Sequence, residues 1–221
     1  MISEGDRIAV GLSGGKDSLT MMWILDERQR RIPVNYELFA VYIDLGFKGG
    51  FSELLEEYCH KMGYNLRIEY TDYGILAHSS ENTENPCFLC SRLRRKRLFE
   101  VAEELGCNKL ALGHNKDDII ETLFLNMCYA GEISTMVPCQ PFFHGKFKII
   151  RPMAFVDENI IKRFTFEKKF PVFVNSCPSA KTSKRQEIKA LLEQLYSSNK
   201  KIKGNIFRAM SNIKTEYMLK A

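Results

Sequence analysis

The sequence lacks the features that would place it in a membrane, outside the cell or among small zinc modules. No apolar run approaches the ~20 residues of a membrane span, and the opening MISEGDR is neither a signal nor a transit peptide. A second C-x-x-C, which most structural zinc modules carry, is missing, and there is no internal repeat and no low-complexity tract. The nucleotide-binding pattern G-x-x-x-x-G-K-[ST] is absent too. Gly15-Lys16 is followed by Asp17, and Val10 holds the upstream position that needs glycine. What remains is a soluble, cytoplasmic α/β-sized chain of 221 residues, 45% hydrophobic and 27% charged. In that setting seven cysteines point away from a disulfide framework and towards a metal site or a reactive pair.

The chain is organised around Ile8 to Ser18, IAVGLSGGKDS. Ile8, Val10 and Leu12 read as a buried strand and Leu19 to Leu25 as an apolar helix, so Ser13-Gly14-Gly15-Lys16-Asp17-Ser18 is the turn between them. Two glycines let the backbone approach an anion, the helix N-terminus supplies free N–H groups, and Lys16 adds a positive charge. Further on, apolar strands at Leu38 to Ile43, Leu66 to Tyr70, Lys109 to Gly113 and Phe147 to Ile150 alternate with helices at Glu53 to Lys61, Leu93 to Leu105 and from Asp117. This alternation predicts a doubly wound parallel sheet of about five strands with helices on both faces. Ser13 to Ser18, Asp44 and Gly113 to Asp118 would then meet beyond the C-terminal strand ends, where such sheets bind ligands. Asp72 to Pro86 and Ala130 to Lys146 read as loops, the latter because of Pro138 and Pro141.

We divide the chain into a domain at 1–180 and a helical tail at 181–221. The tail holds ten of the 32 basic residues and only three acidic ones, in a chain of net charge +5. Helices are expected there at Ser183 to Leu195 and Asn205 to Ile213, after a helix at Asp157 to Lys168 capped by Asp157. A basic tail on a near-neutral body points to a polyanionic partner, nucleic acid first, with a solvated helix face as the alternative.

Cys87-Phe88-Leu89-Cys90 stands before a helix bearing Arg92, Arg94, Arg95, Lys96 and Arg97, where a helix N-terminus and cations should lower thiol pKa values. Cys177, in the turn Asn175-Ser176-Cys177-Pro178, is the candidate third ligand. Three thiols hold a 4Fe-4S cluster with one iron open; with His60, His78, His114 or His144 they make a closed zinc site, and a dithiol pair is the third reading. Cys59, Cys107 and Cys128 read as small core residues and Cys139 is unassigned. In Gly113-His114-Asn115-Lys116-Asp117-Asp118, Gly113 admits a nucleotide, Asp117 or Asp118 caps the next helix or holds magnesium, and His114 is a candidate base.

The turn SGGKDS resembles the PP-loop of the ATP pyrophosphatases. Together with CFLCSRLRR, LALGHNKDD, ETLFLNM, IIRPM and the isolated Cys177, it makes nearly the whole chain resemble the tRNA 2-thiocytidine synthetase family. The resemblance implies an adenine nucleotide alpha-hydrolase-like fold and a tRNA sulfurtransferase that adenylates a cytidine carbonyl oxygen with ATP and replaces it with sulfur. It implies a 4Fe-4S cluster on Cys87, Cys90 and Cys177, Mg2+, and catalytic roles for Arg94, Asp118 and Lys16. ATP would be bound by Ser13, Gly14, Gly15, Lys16, Asp17, Ser18, Asp44, Gly113 and Asn115. The partners would be tRNA and a sulfur donor, either a cysteine desulfurase or sulfide, with a homodimer as candidate assembly. The same scaffold acting on a small heterocycle and a nucleotide-binding redox regulator are the competing readings.

Overall fold

In the computed structural model, which describes residues 1–174, 176–179 and 183–218, the chain runs as alternating strands and helices. The elements are β1 (Asp6–Leu12), α1 (Lys16–Arg31), β2 (Tyr36–Asp44), α2 (Ser52–Met62), β3 (Leu66–Tyr70), α3 (Tyr73–Ala77), α4 (Pro86–Glu104), β4 (Lys109–Ala111) and α5 (Lys116–Leu125). They continue with β5 (Cys139–Phe142), β6 (Phe147–Ile150), α6 (Glu158–Glu167), α7 (Lys184–Ser198) and α8 (Ile202–Ala209). Successive β1 side chains point to opposite faces. Ile8, Val10 and Leu12 pack with Leu19, Met22 and Leu25 of α1 and Ile161 of α6, while Ala9 packs with Val101 and Ala102 of α4. Both faces of the strand are buried, which is why it reads as an unbroken apolar run.

The strand order is β3-β2-β1-β4-β6-β5, parallel except for β5 against β6. The order reverses between β1 and β4, so the crevice above their C-terminal ends is the topological switch point. The sheet has six strands, not about five, because Cys139–Phe142 forms an edge strand within the segment expected to be irregular. Pro141 lies opposite Lys148 on that edge, where a missing N–H is tolerated.

Three other boundaries differ from expectation. Helix α4 starts at Pro86 and not near Leu93, since the Asn85 side chain accepts from the N–H groups of Cys87 and Phe88 at 3.0 and 3.3 Å and proline suits the first helical position. The C-x-x-C therefore lies inside the helix. The first loop contains the short α3, and α8 begins at Ile202, before Asn205. Helix α7 packs Ile188 and Leu192 on Ile120 of α5, a third cluster apart from the two faces of the sheet. Cys59 and Cys107 are buried as expected, but Cys128 is exposed in the π-helical turn 126–130. Residues 181–182 and 219–221 of the tail region, residue 180 just before it, and Asn175 in the turn before Cys177 lie outside the described residues. Among the described residues no helix is long and apolar enough to cross a membrane.

Candidate active site

The turn after β1 requires its first glycine. Gly14 has φ +71°, and a Cβ there would fall 2.4 Å from the Phe51 ring. Ser18 closes the turn: its Oγ accepts from the Ser13 N–H at 3.1 Å and donates to the Gly15 carbonyl at 2.9 Å. Gly15 gives α1 no side-chain cap, which leaves the first N–H groups of that helix for an anion. Lys16 lies beside them, 2.8 Å from Asp17 and 2.9 Å from Glu158. Burial works against its charge, but the two carboxylates hold its pKa above the usual lysine value. Burial likewise opposes charge on Glu158, yet contacts from Lys16, Lys162 and Lys189 pull that carboxyl down to about 2.

The second loop is pressed against the first. A Cβ on Gly113 would come within 3.0 Å of the Ser18 nitrogen, so only glycine lets the end of β4 abut the start of α1. Asn115 then joins the two loops. Its Oδ1 accepts from the N–H groups of Asp117 and Asp118 at 2.8 and 3.2 Å, and its Nδ2 donates to Asp17 at 2.9 Å. Asp118 completes a capping box by accepting from the Asn115 N–H at 2.9 Å, and its other oxygen faces Arg185 at 3.2 Å. Burial raises the Asp118 pKa, and the neighbouring charge of Asp17 adds to this. Two carboxylates this close to a phosphate-binding turn suit magnesium, which takes one or two carboxylates together with substrate phosphates. Asp117 has a different task, accepting from the Glu158 N–H at 2.8 Å and from Lys203 at 2.6 Å. Asp157 precedes α6 without capping it by its side chain; Lys203 and Lys116 hold its carboxylate instead. Asp44 closes the turn after β2, accepting from the Gly46 N–H at 2.8 Å and from Ser52 Oγ.

A cavity of 490 Å³ lies over these loops, bounded by Ser13, Asp17, Ser18, Gly113, Arg94 and Asp118, with Tyr42, Ile43, Leu45 and Phe51 as an apolar wall. Phe173 stacks on Phe51 at 5.0 Å, so the segment after α6 crosses the PP-loop on its way to Cys177. The next residues are held from the other side, where His78 Nε2 lies 2.7 Å from Ser179 Oγ.

The thiols come together at the start of α4. Cys90 is buried and Cys87 is exposed, and the charges of both Cys177 and Cys87 act on the Cys90 thiol. Contrary to the expectation from helix position and cations, burial raises the Cys90 pKa, and Arg94 only partly offsets it. A metal centre would therefore have to displace the Cys90 proton. Among the described residues no three His, Cys, Asp or Glu side chains are gathered around a single ion position. The donors of an iron–sulfur cluster each bind a different iron, so Cys87, Cys90 and Cys177 need not converge on one ion position to suit such a group.

Sequence reasoning did not single out Glu158, Arg185 or Phe173. Each reaches the site from an element more than forty residues away from its contact in Asp118, Lys16 or Phe51, and none lies in a local motif.

A switch-point cavity over a strand–SGGKDS–helix turn defines a nucleotide-binding α/β protein of the PP-loop class. A family model described as a PP-loop domain matches residues 2–195. The chain is 40% identical to the tRNA-cytidine(32) 2-sulfurtransferase of Citrifermentans bemidjiense, over 99% of this chain and 87% of that protein. It is 41% identical to the enzyme of the same name from Geobacter sulfurreducens, over 99% and 86%. Among solved structures, the U34-tRNA thiolase NcsA from Methanococcus maripaludis with its 4Fe-4S cluster aligns with TM-score 0.79 and 27% identity, over 98% of this chain and 74% of that one. The chain belongs to the tRNA 2-thiocytidine synthetase family of PP-loop ATPases.

Proposed function

We propose that the chain is an ATP-dependent tRNA sulfurtransferase acting on a cytidine, as the names of its relatives say of them, with cytidine 32 as the target position. The observation that carries this reading is the double duty of α4. Its first turns carry Cys87 and Cys90 within electrostatic reach of Cys177, and the following turn places Ser91, Arg94 and Arg95 on the cavity wall.

In this reading Ser13 to Ser18 and Gly113 cradle the β,γ-phosphates of ATP, and Asn115 keeps the two loops in register. Asp17 and Asp118 hold Mg2+, and Asp44 fixes the turn beside the apolar wall that receives adenine. The cytidine carbonyl oxygen attacks the α-phosphorus, the bond to the β-phosphate oxygen breaks, and pyrophosphate leaves. Lys16 and Arg94 stabilise the charge that builds on the phosphates. Sulfide then attacks the same carbon, the carbon–oxygen bond breaks, and AMP departs with the original oxygen. Cys87, Cys90 and Cys177 would hold the cluster, whose chemistry when bound would be to supply sulfide to that carbon. Cytoplasmic location, supply by a cysteine desulfurase or free sulfide, and a homodimeric assembly are parts of the same proposal.

Incubation of anaerobically reconstituted protein with unmodified tRNA, ATP, Mg2+ and sulfide should give a thionucleoside by mass spectrometry, with one AMP per sulfur. AMP and pyrophosphate without a thionucleoside would transfer the chemistry to a different acceptor.

A further inference from the structure

Five cations cluster about the middle of α4, and they divide into two sets. Arg92, Lys96 and Arg97 are paired with Glu84, Glu100 and Glu69. Arg94 and Arg95 line the cavity, and among the described residues neither has a carboxylate partner within salt-bridge distance. Arg151, just past β6, is 5% exposed; its Nη1 donates to the Val137 carbonyl at 2.6 Å and its buried Nε has no hydrogen-bond partner. His114 lines the same cavity, and its Nδ1 is also buried without a partner.

The sheet order places these groups. The PP-loop follows β1, His114 follows β4 and Arg151 follows β6, so Arg151 stands two strands, about 10 Å, from the strand that carries the phosphate turn. Arg151 thus stands on the far side of β4 from the phosphate turn and does not itself bound the cavity; its charge acts through His114. Burial, and the arginines at 151, 185, 95 and 94, hold the His114 imidazole neutral, with its pKa pulled down to about 3. The Nδ1 is sealed, so Nε2 is the ring nitrogen left to the cavity, and a neutral imidazole can present its proton there to an anion. A neutral N–H donor beside unpaired guanidiniums is an arrangement for an anionic oxygen.

We propose that the β6-side corner of the cavity is the RNA subsite: Arg95 and His114 Nε2–H bind a backbone phosphodiester next to the target cytidine, with buried Arg151 as the positioning charge behind them. This rests on the tRNA reading above. The same chemistry would suit the α-phosphate of ATP, and the experiment separates the two.

Affinity of the full chain for an unmodified tRNA transcript is measured across a salt series for wild type, Arg95→Ala, His114→Leu and His114→Gln, with ATP affinity measured in parallel. Arg95→Ala should make the slope of log affinity on log salt shallower by about 0.7–0.9, one phosphate contact, without changing ATP affinity. His114→Leu should weaken tRNA binding by about tenfold, and His114→Gln, which keeps a donor, should recover most of it. An unchanged slope in Arg95→Ala, or lost ATP affinity with intact tRNA binding, overturns the assignment while the thiolase reading stands. If wild type itself shows no salt-dependent tRNA affinity, the thiolase reading falls and takes this subsite with it.

Discussion

Glu158 offers the most direct test of the electrostatics that hold the PP-loop in place. It is the first residue of α6, its side chain is 14% exposed, and it reaches Lys16 at 2.9 Å, Lys162 at 3.0 Å and Lys189 at 3.1 Å. A carboxyl lowered from 4.5 to about 2 in the folded chain contributes on the order of 3 kcal/mol to stability where it is ionised in both states. The folded value is the lower one. The contribution is therefore complete above pH 4.5 and disappears as pH falls through about 2. Unfolding of cluster-free wild type and Glu158→Gln by urea from pH 7 to pH 2.5, with the two curves subtracted, removes the effect of all other carboxylates. The difference should be about 3 kcal/mol at neutral pH and shrink steadily below pH 4.5. A difference that stayed constant with pH, or fell below ~1 kcal/mol at pH 7, would show that the three lysines do not hold Glu158 and that Lys16 is not braced by α6.

Gly14→Ala forces a β-carbon into the Phe51 ring at φ +71°; it should cost at least ~1–2 kcal/mol in unfolding measurements and sharply weaken ATP binding in calorimetry, with partial recovery in Gly14→Ala/Phe51→Ala. Cys177→Ala should leave the reconstituted protein depleted of iron and of its brown chromophore; a full iron complement would remove Cys177 from the ligand set. Asp118→Asn keeps an acceptor for the Asn115 N–H, so its melting temperature should stay near wild type while AMP formation falls by ~10²–10³. An active Asp118→Asn protein would reassign Asp118 to capping alone.

What could be read in the sequence follows the range of the interactions. Strands buried on both faces announce themselves as apolar runs, and the glycine turns carry their own steric reason, so the doubly wound sheet and the two facing loops were legible from Ile8 to Ser18 and Lys109 to Asp118. Helix α4 was misplaced at its start because the apolar pattern was read from Leu93, while the true signal is the capping side chain of Asn85 followed by Pro86. Strand β5 was missed because Pro138 precedes it and Pro141 lies within it, and an edge strand needs only half its hydrogen bonds. The Cys90 thiol was assigned the wrong direction of shift because burial, which sequence position does not report, outweighs Arg94.

The basic tail shows the same limit and changes where RNA should be sought. Counted along the chain, its lysines and arginines look like an independent polyanion-binding face. In the fold Arg185 reaches Asp118, Lys189 reaches Glu158, and Lys203 bridges Asp117 and Asp157. These three cations neutralise acids of the GHNKDD turn and of the start of α6, and Lys184 is held by Glu187. Without them, a cluster of carboxylates would repel the triphosphate that the PP-loop is built to hold. The positive charge left without carboxylate partners at the cavity lies on α4, next to the cysteines. On the proposed reading, reaction and recognition share one helix, and an RNA phosphate held at Arg95 would bring its base towards the cysteines at the start of α4.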